Sequence, residues 1–309
     1  MMAERYPGMR GFLLLASVAI GLVFAGPAIA QSGGNCQLVK LASLDMAIDP
    51  VGRVTVPMMV NGKKENLLVD TGGVTSMLTA KAAADLGLPL RSIDESKGRF
   101  KLFGNEDLPH YVTADTIQLG GLTGQKKDFM ILPDDRAVDG VDGTLSPDIM
   151  GAYDVEFDFA AAKLNLFSRD HCAGQVVYWT HQPYATIPMG LDRWGHIGFK
   201  VSLDGHSVEA LMDTGAASSV ARSDAVQDFV PREEIEAAEA RNTRNDAAPH
   251  HLFKTLTLRD VSVLNPDIAI VSRELRGPEL LLGMGILRQL HLYIAYQERN
   301  IYVTAAEAR

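Results

Sequence analysis

Apolar and polar side chains alternate along Gly52–Gly62, where Val54, Val56, Met58 and Val60 share one side of the pattern. A period of two over this length predicts a half-buried strand. The same alternation returns in Gly195–Gly205. Each run ends in a dipeptide, Asn61-Gly62 or Asp204-Gly205, that tolerates the positive φ angles of a tight hairpin. A second strand then runs into an acidic residue, as Leu67-Leu68-Val69-Asp70 and as Ala210-Leu211-Met212-Asp213. Most of the remaining pattern is alternating or a short apolar run, which predicts strands. Three short helices are expected: Thr79–Leu86 with its stop at Gly87, Ser219–Phe229, and the acidic stretch that follows Pro231.

These patterns are two copies of one module. Gly52–Gly62 lies over Gly195–Gly205 at a constant offset of 143, and the register extends without a gap to Asp70-Thr71-Gly72 over Asp213-Thr214-Gly215. Thr116–Leu119 and Asp128–Leu132 match Thr255–Leu258 and Asp267–Val271 at 139. Leu145 to Met150 matches Leu282 to Leu287 at 137, and the same offset pairs Val155 and Phe157 with Leu292 and Ile294. Loop deletions produce such drift at little energetic cost. The expected class is all-β with few short helices, built as two homologous β-barrel-like lobes about a pseudo-twofold axis. The expected boundaries are 31–168 for the N-terminal lobe, 169–183 for a linker and 184–309 for the C-terminal lobe.

The first thirty residues do not fit this pattern. Arg5 and Arg10 precede an apolar run from Gly11 to Phe24, and Ala28-Ile29-Ala30 offers a small-residue cleavage site. That arrangement predicts a signal peptide over 1–30, hence an exported, periplasmic or secreted protein. A membrane attachment is expected only if this segment stays uncleaved. The chain carries a net charge of −9, and residues 1–30 hold two Arg and one Glu, so the remainder is slightly more acidic still. An acidic chain without basic clusters argues against nucleic acid as a partner. Cys36 and Cys172 are the only cysteines, an even pair that suggests one disulfide in an oxidising compartment. Two unpaired buried thiols are the other reading of that pair.

The chemistry lies at the repeated carboxylates. Thr-Gly after each Asp ends the strand and lifts the carboxylate out of the sheet. If the copies pack about a twofold axis, an element near the axis meets its own counterpart. Two carboxylates brought together share one proton and titrate as a pair. The ionised member can then accept a proton from water while the protonated member polarises a substrate carbonyl. No metal and no cofactor is expected.

Duplicated Asp-Thr-Gly motifs, the second answered by Leu281-Leu282-Gly283, resemble those of the pepsin and retropepsin superfamily, and bacterial retropepsin-like proteases with two fused lobes in particular. The resemblance implies an aspartic endopeptidase acting on a peptide or protein substrate, working as a monomer whose own lobes pair. It implies Asp70 and Asp213 as the catalytic pair, with Thr71 and Thr214 interlocked beneath them and Gly72 and Gly215 permitting tight active-site loops. It also implies a hairpin flap, for which Arg99–Leu108 is the candidate, with Phe103, Gly104 and Asn105 at its tip. Gly73 and Ala216 stand where pepsin-like members usually carry a hydroxyl, which predicts a pH optimum moved toward weakly acidic or neutral values. Ser146 stands where the repeat calls for glycine.

Other readings are a pseudo-protease that binds peptides without cutting them, and lobes that pair between chains. The sequence has no phosphate-binding loop and no Gly-x-Ser-x-Gly elbow. His250 and His251, adjacent on a predicted strand, would point to opposite faces rather than converge on a metal. Trp179 and Trp194, near the join of the lobes, are expected to be packing residues.

Overall fold

The computed structural model describes residues 36–94, 100–101, 107–241, 248–274 and 277–306. The proposed signal segment therefore lies outside the described residues. Both expected turns form hairpins, with Asn61 and Gly62 at φ 48° and 80° and Asp204 and Gly205 at 49° and 87°. Strand Val54–Val60 pairs with Lys63–Val69, and Ile197–Leu203 pairs with His206–Met212 in the same way.

Each half then builds one twisted, barrel-like sheet of equivalent order. In the first, Lys63–Val69 lies parallel to Gly143–Leu145, and Met77–Thr79 lies on the other side of that strand. In the second, His206–Met212 lies parallel to Leu280–Leu282, with Ser219–Arg222 beyond. The first sheet closes through Met59 and Val60 against Gln118 and Ile117, and Ser202 and Leu203 meet Thr257 and Leu256 equivalently. The architecture is all-β with short helices, as the pattern predicts. The expected helix over Ser219–Phe229 is shorter than that: Ser219–Arg222 is a strand, and only Ser223–Val226 is helical. Ser219 and Ala221 face the core, and the sheet claims the segment before a helix can start.

A third sheet of six strands joins the halves. Its order is Lys40–Asp45, Lys163–Phe167, Asp154–Asp158, Leu290–Ala295, Asn300–Ala305 and Ala185–Pro188, so each half contributes three strands. At its centre Val155 pairs with Ile294, Glu156 with Tyr293 and Phe157 with Leu292. With the repeat offset of 137, Val155 and Phe157 exchange partners' equivalents, and Glu156 meets its own equivalent. That register is self-complementary, as at an isologous interface, and it places the pseudo-twofold axis at Glu156 and Tyr293. Buried side chains of both halves form one continuous core, including Val56, Leu67, Phe157, Leu282 and Ile294.

Buried polar groups lock this central sheet. Glu156 accepts hydrogen bonds from Asn165 and Tyr178 and pairs with His291 at 3.0 Å. These partners hold Glu156 below the usual carboxylate range although burial opposes them. Trp179 stacks on His291 at 4.4 Å between ring centroids, so it is a packing residue as expected. Trp194 is not: it is 42% exposed, with the Arg193 guanidinium over its ring, because its tight turn carries it out onto the wall of a cleft. Cys36 and Cys172 are joined in a disulfide that ties the start of the described chain to the segment between the halves.

Candidate active site

The two parallel strand pairs deliver Asp70 and Asp213 to one place. The backbone N–H of Asp70 donates to Leu145 O at 2.9 Å, and that of Asp213 donates to Leu282 O at the same distance. After each Asp the chain turns sharply. Gly72 N–H donates to Asp70 Oδ1 at 3.1 Å, and Gly215 N–H donates to Asp213 Oδ1 at 2.9 Å.

Thr71 and Thr214 fix the two turns to each other. Thr71 N–H donates to Thr214 Oγ1 at 3.1 Å, and Thr214 N–H donates to Thr71 Oγ1 at 3.0 Å. Each hydroxyl in turn donates across the axis, Thr71 to Met212 O at 3.0 Å and Thr214 to Val69 O at 2.7 Å. Both threonines are buried. Four buried bonds of two kinds therefore repeat under the twofold operation, and the strand ends that carry the carboxylates cannot separate without breaking them.

Gly72 and Gly215 have a further use. A Cβ on Gly72 would stand 2.5 Å from the carboxyl carbon of Asp213, and one on Gly215 would stand 2.6 Å from Asp70 Oδ1. Each glycine makes room for the carboxylate of the opposite half. The Asp70 and Asp213 carboxyls are within hydrogen-bonding reach of each other. Burial, and after it the negative charge of Asp213, pushes Asp70 up to about 7. Burial raises Asp213 as well, but the N–H groups of Gly215 and Ala216 oppose the rise. Ala216 N–H lies 3.2 Å from Asp213 Oδ1. Both carboxyls are thus raised together, and the pair shares a single proton and titrates as one unit.

The next shell is where the halves diverge. Ser76 Oγ accepts from Ser146 N–H, and Ser219 Oγ accepts from Gly283 N–H, both at 3.0 Å. Ser76 and Ser219 stand at the repeat offset of 143; their identity in register was the available signal for this role. In the second half the loop after Asp213 is held by backbone bonds, Met284 N–H to Ala216 O and Gly285 N–H to Ala217 O. Pro147 replaces the first of these donors in the other half and has no N–H. There the Asp148 carboxylate does the holding, accepting from Ser76 N–H at 2.9 Å, Ser76 Oγ at 2.7 Å and Thr75 Oγ1 at 3.0 Å.

A cavity of about 910 Å³ lies beside the Asp70 loop, lined by Val74, Thr75, Tyr111, Lys127 and Trp194 among others, and neither Asp70 nor Asp213 lines it. Phe100–Lys101 pairs with Asp107–Leu108 as the base of a hairpin. Leu108 is buried against Met77, Met130 and Leu132, which roots that base in the first sheet. The flap residues Phe103, Gly104 and Asn105 lie outside the described residues. His250 and His251 turn apart to Asp267 and Glu234. Among the described residues no cluster of His, Cys, Asp and Glu is arranged to hold a metal.

Residues 56–148 match the family model described as aspartyl protease, and residues 199–289 match that of the gag-polyprotein aspartyl protease. The two matches cover the two motif-bearing modules separately, one on each side of the central sheet. No curated protein sequence matches the chain. Among solved structures the chain is similar to basic 7S globulin from soybean, with a TM-score of 0.55 and 10% identity over 85% of this chain and 96% of that one. At that identity the likeness shows the fold, a pepsin-like pair of lobes. With one aspartyl protease module in each half and the two motifs meeting on the axis between them, the chain belongs to the aspartic peptidase superfamily.

Proposed function

We propose that the protein is an aspartic endopeptidase in which Asp70 and Asp213 activate one water molecule against a peptide bond. The observation that carries this reading is the mutual accommodation at the axis, where Gly72 makes room for Asp213 and Gly215 makes room for Asp70. A pair of turns that merely ended two strands would have no need to nest in this way.

In the proposed reaction the Asp213 carboxylate takes a proton from water as the water oxygen bonds to the carbonyl carbon. Asp70 gives its proton to the carbonyl oxygen, leaving a neutral tetrahedral intermediate. Asp213 then returns its proton to the leaving nitrogen while a hydroxyl of the intermediate re-protonates Asp70. The C–N bond breaks, and the dyad ends with the single proton it began with. General acid and general base work of this kind contributes about 10²–10⁴-fold each.

The substrate is a peptide or an unfolded protein segment, laid across Asp70 and Asp213 where the halves meet. The working unit is a monomer, since both carboxylates come from one chain. The disulfide and the N-terminal segment support an exported protein, because disulfides persist in oxidising compartments. The test is cleavage of a denatured protein mixture by the wild type, Asp70→Asn and Asp213→Asn. Cleavage by the wild type alone is expected. Equal behaviour of the three proteins would contradict a peptidase and favour a peptide-binding role.

A further inference from the structure

The repeat aligns Gly73 with Ala216 and Ser146 with Gly283, so both departures from the repeat fall beside the carboxylate loops. In the second half a Cβ on Gly283 would stand 2.4 Å from Ser218 O and 2.8 Å from Ala216 O, so backbone carbonyls close the space there and no side chain enters it. In the first half a Cβ on Gly73 would stand 2.5 Å from Ser146 Oγ and 2.6 Å from Asp70 Oδ2, so the space over Gly73 is bounded by a hydroxyl on one side and the carboxylate on the other.

That hydroxyl is idle in every other respect. Ser146 is fully buried, and its Oγ has no hydrogen-bond partner in the protein. It sits at the N-cap of the short helix Pro147–Met150, where a serine side chain normally caps the first turn, yet it makes no capping bond. A buried hydroxyl left without a partner costs about 1–3 kcal/mol, so a serine kept in this position needs a reason. The point that a Cβ on Gly73 would occupy lies 2.5 Å from Ser146 Oγ and 2.6 Å from Asp70 Oδ2, so the two oxygens flank one small space.

We propose that Ser146 is a positioning residue for Asp70, its hydroxyl serving the Oδ2 oxygen across the gap that Gly73 leaves open. It supplies from the opposite wall the hydroxyl that Gly73 cannot carry. It does not touch the substrate, and it acts by steadying the carboxylate when Asp70 has given up its proton. The proposal rests on the peptidase reading above.

The experiment is a pH profile of kcat/KM for the wild type, Ser146→Ala and Ser146→Gly on a single fluorogenic peptide that the wild type cleaves in an Asp70-dependent manner. Removing a donor to the ionised carboxylate raises its pKa. The alkaline limb should therefore move to higher pH in both variants, with kcat down about tenfold, one hydrogen bond's worth, and KM little changed. A merely structural role would lower the curve without moving its limb. An unmoved limb, or one moved to lower pH, in folded variants would overturn the proposal while leaving the peptidase reading intact. If the wild type cleaves nothing, or Asp70→Asn cleaves equally well, the peptidase reading itself has failed and the proposal falls with it.

Discussion

Gly72 and Asp213 come from different halves of the chain, yet the space a Cβ on Gly72 would need is already taken by the Asp213 carboxyl. Gly72→Ala must therefore push the two carboxylates apart or tilt one of them. Displacement of a catalytic group by about 1 Å costs on the order of 10²-fold in rate. The expected outcome is a folded protein with kcat reduced by about that factor and stability lowered by about 1–3 kcal/mol, as for an overpacked buried site. Wild-type turnover in Gly72→Ala would show that the carboxylates need not be this close.

Thr71→Val removes one hydroxyl and leaves two buried groups without partners, the N–H of Thr214 and the carbonyl of Met212. Each costs about 1–3 kcal/mol. Urea denaturation should show a loss of about 2–6 kcal/mol for the two groups together, and Thr214→Val should match it. Because the four bonds form one network, the double variant should lose less than the two single losses added together.

The pH dependence of stability follows from Asp70. Its folded-state value of about 7 lies above the unfolded value near 3.8. Stability linked to this group is fully present below about pH 3.8 and is lost as the pH rises toward 7. Asp70→Asn, which cannot ionise, should therefore raise the melting temperature at pH 8 by more than it does at pH 4. Equal increments at both values would mean that Asp70 is not held protonated in the fold. Glu156 has the opposite sign, being held low, and its contribution is lost as the pH falls below the ordinary glutamate range.

The disulfide closes most of the first half, with a sequence separation of 136 between Cys36 and Cys172. Reduction, or the double variant Cys36→Ser and Cys172→Ser, should lower stability by about 2–5 kcal/mol. Both sulfurs lie outside the site, so activity at low temperature should persist. Loss of activity in a reduced but folded protein would tie the bridge to the catalytic geometry.

Much of this molecule was legible before its structure because the duplication supplies its own alignment. The constant offset from Gly52 to Gly72 fixed which residues are equivalent, and equivalent residues near a twofold axis must meet. The meeting of Asp70 with Asp213 follows from that logic, the interlock of Thr71 with Thr214 was implied by the family resemblance, and the register of Glu156 with Tyr293 is seen only in the structure. What pattern alone could not show were compensations between positions far apart in sequence. Ser146 read as an anomaly, and only the position of its hydroxyl over Gly73 explains why both residues depart from the repeat together. Asp148 was invisible for the same reason, since its value depends on the N–H that Pro147 lacks. Ser219–Arg222 was read as helix because burial on one side, not local propensity, decides that segment. Trp194 was read as packing because the turn that exposes it is set by backbone geometry.

The central claim is that Asp70 and Asp213 share one proton and together hydrolyse a peptide bond. The most direct test is kcat/KM for a single peptide measured from pH 3 to 9 in the wild type, Asp70→Asn and Asp213→Asn. The account predicts a bell whose alkaline limb lies at about 7, the value to which Asp70 is raised. It also predicts a fall of about 10²–10⁴-fold in each variant, as expected when a general acid or base is removed. A profile flat through pH 9, or cleavage retained by either variant, would contradict it.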